Sequence, residues 1–161
     1  LTTAPNYTLA KSVVHYHPGA WQLIGTGIFS WSVFKLYRAS LFALGEFDPG
    51  RPYALELSYL RAISAEQIVT TTLREIERLC APETSQIKDW AVALLNIVPD
   101  VRLGDRLVGL FLPNEGVKFF SEHAYLGEIM DAQFTQAFAA IWLDPQTRSP
   151  SLRLQLLGGG F

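Results

Sequence analysis

Apolar residues crowd positions 21–44, where Leu23, Ile28, Phe29, Trp31, Val33, Phe34, Leu36, Tyr37, Leu41 and Phe42 form β-rich runs interrupted by Gly25 and Gly27. Aromatic and β-branched residues in short runs favour strands, so two strands are predicted here. In the second run both the odd positions (Trp31, Val33, Tyr37, Leu41) and the even ones (Phe34, Leu36, Phe42) are apolar. A strand apolar on both sides belongs to a sheet covered on both faces. After the turn signal Phe47-Asp48-Pro49-Gly50, positions 53–63 alternate as a third strand, with Tyr53, Leu55, Leu57, Tyr59 and Ile63 on one face and Arg61 among them.

The period then changes. Ser64 followed three residues later by Gln67 is a capping-box signature, and Ile68, Val69, Thr72, Leu73, Ile76, Leu79 and Cys80 recur at helical spacing behind it. Pro82 separates this helix from a second, whose stripe of Ile87, Trp90, Ala91, Leu94, Leu95 and Val98 ends at Pro99. Three short strand runs follow at 106–112, 117–120 and 125–130, a β-meander. Asp131 is placed to cap a helix carrying Phe134, Phe138, Ile141 and Trp142, and Ser149-Pro150 opens a last short helix stopped by Gly158. Strands, helices, meander, helices is a segregated order, which predicts an α+β fold on an antiparallel sheet. Residues 1–20 read as a loosely attached N-terminal lead-in and 21–161 as a single domain. The closing run Gly158-Gly159-Gly160 reads as a helix cap and tail, not a phosphate cradle, for no helix follows it.

Composition adds one demand. With 49% hydrophobic and 17% charged residues, the chain has more apolar surface than a plain core of this size requires. A large core, a ligand cavity or a protein partner would each absorb it. The net charge of −2 supplies no basic footprint, so nucleic acid is excluded as the expected partner. Lys35 and Arg38 interrupt the longest apolar run, so no transmembrane segment is expected. The first residue is Leu1, not Met, an expectation of leader removal or trimming.

Candidate chemistry is sparse. Cys80 is the only cysteine and reads as a small core residue on the buried helix face behind Ile76. His15 and His17 alternate as on a strand, but only His123 remains and it falls in a predicted turn, so neither metal nor cofactor is expected. Nucleophile-elbow, zinc-helix, P-loop and dinucleotide signatures are all missing from the 161 residues. The notable features are Lys35, Arg38 and Arg61, cations set in apolar strands. A cation in such a place needs an anion, either Glu46, Asp48 and Glu56 as internal partners or the carboxylate of a ligand.

The segments Gly25-Thr26-Gly27, 29–37, 53–59, Gly104-Asp105 and Ile141-Trp142-Leu143, in this order and spacing, resemble the bacterial chalcone-isomerase-like family over about residues 21–157. The resemblance implies an open-faced β-sandwich, a large antiparallel sheet with helices on one side and short strands on the other. In the plant enzymes of this fold a sheet–helix cleft closes a flavanone ring with an arginine, a tyrosine, a threonine and a lysine. Here the threonine position holds Ser32, which keeps a hydroxyl. The early arginine falls near Ala20 and Trp21, the lysine on Tyr59, the helix tyrosine on Ile68 and a late Ser/Thr on Ile141. Losing those donors removes the stabilisation of developing charge that cyclisation needs, so chalcone isomerase activity is not expected. The expectation is a noncatalytic protein binding a fatty acid or other apolar anion through Ser32, Tyr37, Tyr59, Arg61, Ile68 and Ile141. The alternatives are an isomerase or lyase using Ser32 and tyrosines, and an interaction protein whose cleft is filled by Trp31, Phe34, Ile68 and Ile141. Many bacterial members look secreted, which sets the expected location as periplasmic or extracellular.

Overall fold

Six strands pair in chain order as one antiparallel meander in the computed structural model, which describes residues 8–159. They are β1 (Gln22–Trp31), β2 (Phe34–Ala43), β3 (Tyr53–Tyr59), β4 (Arg106–Leu112), β5 (Gly116–Ser121) and β6 (Tyr125–Ile129). Five helices join them: α1 (Lys11–Tyr16), α2 (Ala65–Cys80), α3 (Thr84–Ile97), α4 (Ala132–Leu143) and α5 (Pro150–Leu156). The architecture is α+β, an open antiparallel sheet packed with helices.

Alternation along the strands sorts the side chains into two cores. Leu41, Tyr53, Leu55, Phe111, Val117 and Phe119 face the layer of α2 to α5 and meet Val69, Ile76, Trp90, Leu94, Phe134 and Leu156 there. Phe42, Ala54, Val108, Leu110 and Phe120 face the other way, onto Leu9, Ala10 and Val13. The lead-in segment, expected to hang loose, is therefore docked through Leu9, Ala10 and Val13, and it covers the face where the resemblance implied short strands. Residues 1–7 of that segment, and Gly160 of the closing glycine run, lie outside the described residues.

Local signals set the helix starts. Ser64 Oγ accepts from the Gln67 amide at 3.1 Å while Gln67 Oε1 accepts from the Ser64 amide at 3.2 Å, closing the box at α2. Asp131 caps α4 by accepting from the amides of Gln133 and Phe134. Ser149 caps α5, with Pro150 in its first turn, and Gly158, at φ +81°, closes it.

Four expectations change. The third strand ends at Tyr59, not Ile63, because the Tyr59 carbonyl is taken by the Gly104 amide and Ile63 turns aside to bridge Val101. Arg61 is consequently a loop residue. His15 lies within α1 and His17 closes it, so these imidazoles do not alternate on a strand. Cys80 is exposed: the buried stripe of α2 stops at Ile76, and the chain leaves the helix at Ala81 in a left-handed conformation. Its thiol is pushed up by partial burial and by Asp144, away from the reactive thiolate form.

One buried carboxylate sits under the lead-in. Glu56 Oε2 accepts from the Ala10 amide at 2.9 Å, and Arg106 lies 3.4 Å from Oε1. Burial raises the Glu56 pKa above its ordinary value of 4.5, against the opposing pull of Ala10 and Arg106. A carboxyl with a raised folded-state pKa favours folding below its unfolded pKa, and that contribution is lost as pH rises through the folded one. Glu56→Gln keeps an acceptor for Ala10 and removes the titration. Its Tm relative to the parent is expected to be more favourable at neutral pH than near pH 4.5, measured by thermal melts across that range.

Candidate ligand cavity

A cavity of about 550 Å³ lies between the sheet and α2, within the range of roughly 300–1,000 Å³ of small-molecule sites. Its deep wall is apolar, built by Leu55, Leu57, Phe111, Phe119, Phe138 and Leu94. These residues are supplied by alternation on β3, β4 and β5 and by the inward stripes of α3 and α4. The cleft is thus open, and Trp31, Phe34, Ile68 and Ile141 line it without plugging it.

The polar end is set by a strand pair. Tyr37 on β2 and Tyr59 on β3 are register partners whose rings meet edge-on, with centroids 5.8 Å apart. Trp142 Nε1–H donates to Tyr37 Oη at 3.0 Å, which occupies an acceptor site and leaves the phenol proton without an acceptor among the described residues. Tyr59 is buried, and its hydroxyl makes no hydrogen bond among them either. Burial drives the Tyr37 pKa well above the ordinary phenol value; the Trp142 bond opposes this and the Glu75 carboxylate adds to it. Burial does the same for Tyr59, with Tyr37 beside it. Both groups are therefore hydrogen-bond donors at neutral pH, not bases.

Arginines gather at the mouth. Arg61 stands over the Phe34 ring with its guanidinium 4.7 Å from the centroid, and among the described residues it makes no ion pair. Arg148, from the loop between α4 and α5, stands over Trp31 at 5.1 Å. It also donates through Nε and Nη2 to Glu75 Oε1, at 2.9 and 2.6 Å. Arg78 holds the other oxygen of Glu75 at 2.8 Å. Burial would raise the Glu75 pKa, but the two guanidinium groups outweigh it and hold the carboxyl below its ordinary range. This acid with its two arginines leaves one net positive charge beside the cavity. Arg74 is a further cation on the lining.

Five of the six residues singled out from the sequence, Tyr37, Tyr59, Arg61, Ile68 and Ile141, come together on the cavity wall. Ser32 does not. It occupies the two-residue turn between β1 and β2 at φ +58°, exposed and off the lining, because the chain reverses there and not at the expected break of Gly25 and Gly27. An isomerase built on the Ser32 hydroxyl loses that group. Sequence reasoning missed Trp142, Glu75 and Arg148 as parts of the site. The Glu75–Arg78 spacing of three on a helix is a readable signal, whereas Arg148 reaches Glu75 from 73 residues away.

With this geometry in place, comparison with known proteins becomes decisive. Residues 8–158 match the family described as chalcone isomerase-like. The chain belongs to that family. Over 140 residues it is also 32% identical to an uncharacterized protein of Haemophilus influenzae, a span covering 86% of this chain and 68% of that one. Among solved structures, a fatty-acid binding protein of Arabidopsis thaliana superposes with a TM-score of 0.67 over 87% of this chain and 88% of its own. At 7% identity that likeness is one of fold. The sheet and helix layer are thus common to a plant protein and this chain at 7% sequence identity.

Proposed function

We propose that this chalcone isomerase-like chain is a noncatalytic binding protein whose cavity holds a fatty acid or a similar apolar carboxylate. The observation carrying this reading is the register pair of phenols, the partly buried Tyr37 and the buried Tyr59, facing an apolar cavity with their protons unclaimed among the described residues. A carboxylate is an acceptor only, so it satisfies both donors at once. Arg61, one turn of loop beyond Tyr59, adds positive charge on the same side. The tail then runs along Leu57, Leu55, Phe111 and Phe138, at about 0.8 kcal/mol for each methylene removed from water. A dozen methylenes outweigh any single ion pair at the mouth, whose solvent-exposed value is about 0.2–1 kcal/mol. The tail therefore sets affinity and the phenols set the class of head group. The fatty-acid binding named for the Arabidopsis protein of the same fold agrees with this reading.

The test is a displacement titration with a fluorescent fatty acid, paired with native mass spectrometry of gently purified protein. The double variant Tyr37→Phe/Tyr59→Phe is expected to weaken binding of a long-chain fatty acid by at least about tenfold, since a hydrogen bond to a charged group contributes about 1.5–3 kcal/mol. Binding of the methyl ester of the same acid should change far less. Equal losses for acid and ester would remove the phenols from head-group recognition. A parent protein with no co-purifying lipid and no probe binding would end the reading altogether.

A further inference from the structure

The turn between β1 and β2 gathers three exposed large apolar side chains, including the most exposed one among the described residues. Val33 at its apex is 84% exposed, and Trp31 and Phe34 on either side are 54% and 53% exposed. Three large apolar side chains at a hairpin apex have no fold-level reason to face water together, and such a cluster with a charged rim marks an interaction surface. The charges carried by the hairpin itself have one sign. From Gln22 to Gly45, both strands and the turn contain Lys35 and Arg38 and no Asp or Glu, in a chain whose net charge is −2. Arg61 and Arg148 lie over the outer aromatic rings of Phe34 and Trp31. The carboxylate nearest Arg148, Glu75, is already held by that residue and Arg78.

We infer that this hairpin tip docks the protein on an anionic phospholipid bilayer, with Val33 at the deepest point and Trp31 and Phe34 at headgroup level. Tryptophan is favoured at the water–hydrocarbon boundary, and cations beside it meet lipid phosphates and the negative surface potential of an acidic leaflet. Trp31 and Phe34 also line the cavity, so a protein seated this way has its cavity mouth against the bilayer. No described helix is long and apolar enough to cross a membrane, and the inferred attachment is through the hairpin tip alone. The inference does not depend on what the cavity holds.

Vesicle co-sedimentation tests it, using phosphatidylcholine vesicles with and without phosphatidylglycerol. The parent protein is expected to partition onto the mixed vesicles, with a shift in tryptophan emission, and much less onto phosphatidylcholine alone. Added salt should weaken the binding. Val33→Asp, at an exposed turn position off the cavity, is expected to lower partitioning by at least about tenfold. It should leave the melting temperature and the solution affinity for a fluorescent fatty acid unchanged, so failure of the surface and failure of the cavity reading are separable. Lys35→Glu should reduce binding to the phosphatidylglycerol vesicles selectively. Absence of partitioning by the parent, equal partitioning by Val33→Asp, or a dimer in sedimentation analysis that Val33→Asp dissolves without any vesicle binding would each overturn the inference.

Discussion

Gly25→Ala is expected to be among the most destabilising single-methyl changes in this protein, at about 3 kcal/mol, a fall of about 6–12 °C in Tm. A Cβ at this position would lie 2.0 Å from the carbonyl oxygen of Gln155 and 2.5 Å from that of Leu156. Both are main-chain atoms of α5, so relief requires lifting the helix off β1. Leu152 and Leu156, fully buried under it, would be dragged partly into water. Gly27→Ala is the informative contrast. Its Cβ would meet the Oε1 of Gln155 at 2.2 Å, the end of an exposed side chain that can swing away, and a methyl of the buried Leu152 at 2.8 Å, which must give by a few tenths of an ångström. The cost there should be about 1 kcal/mol, partly offset by the lower unfolded-state entropy of alanine. Truncating Gln155 to alanine should rescue Gly27→Ala and not Gly25→Ala. Denaturant titrations of the four proteins check the pattern, and equal costs at the two glycines would mean that α5 is not held against β1 as described.

The two glycines also mark the limit of what the sequence reveals. As strand residues they look like interruptions, yet β1 runs through both, its register on β2 shifting between Leu23 and Gly25 and again between Phe29 and Ser30. Their reason is a helix near the opposite end of the chain, which no window around residue 25 contains. Features whose cause is local fared differently. The Ser64–Gln67 box, the Asp131 and Ser149 caps and the strand alternation are written within a few residues, and the structure has each of them. Cys80 failed because helical spacing predicts a face but not how far the packed layer extends along it. Ser32 failed because the strand break was expected at Gly25 and Gly27, whereas the chain reverses at Ser32 and Val33 and so turns an expected strand hydroxyl into a turn hydroxyl.

The cavity shows the same division. Tyr37, Tyr59 and Arg61 stand out in a sequence because polar tips on apolar strands require an explanation. That they meet follows from the register of β2 on β3, which pairs Tyr37 with Tyr59. Trp142, which fixes the Tyr37 hydroxyl, was legible only as one more apolar residue on the inward face of α4. Whether a cleft is filled or open is a difference between the summed volumes of two layers. Composition shows the surplus of apolar residues but not the gap they leave.

Leu57→Trp turns that gap into a measurable sign. Leu57 stands on the central strand β3, opposite Ala39 and Leu107, with its side chain on the cavity wall and only partly buried. An indole at this position would occupy the path proposed for the ligand tail just below Tyr59. Displacing about four methylenes at about 0.8 kcal/mol each costs about 3 kcal/mol, more than a hundredfold in affinity for a long-chain fatty acid. Stability should move the other way. In a closely packed interior such an enlargement destabilises by about 1–3 kcal/mol, whereas filling an existing void restores contacts at about 24 cal/mol per Å³. Leu57→Trp is therefore expected to keep or raise the Tm while abolishing binding, read by thermal melts and fluorescent fatty-acid titration on the same samples. A binding loss accompanied by a marked drop in Tm would show the cleft to be solid, and an unchanged affinity would place the ligand elsewhere. A raised Tm with lost binding admits one account: the space between the sheet and α2 is empty in the unliganded protein and is where the tail goes.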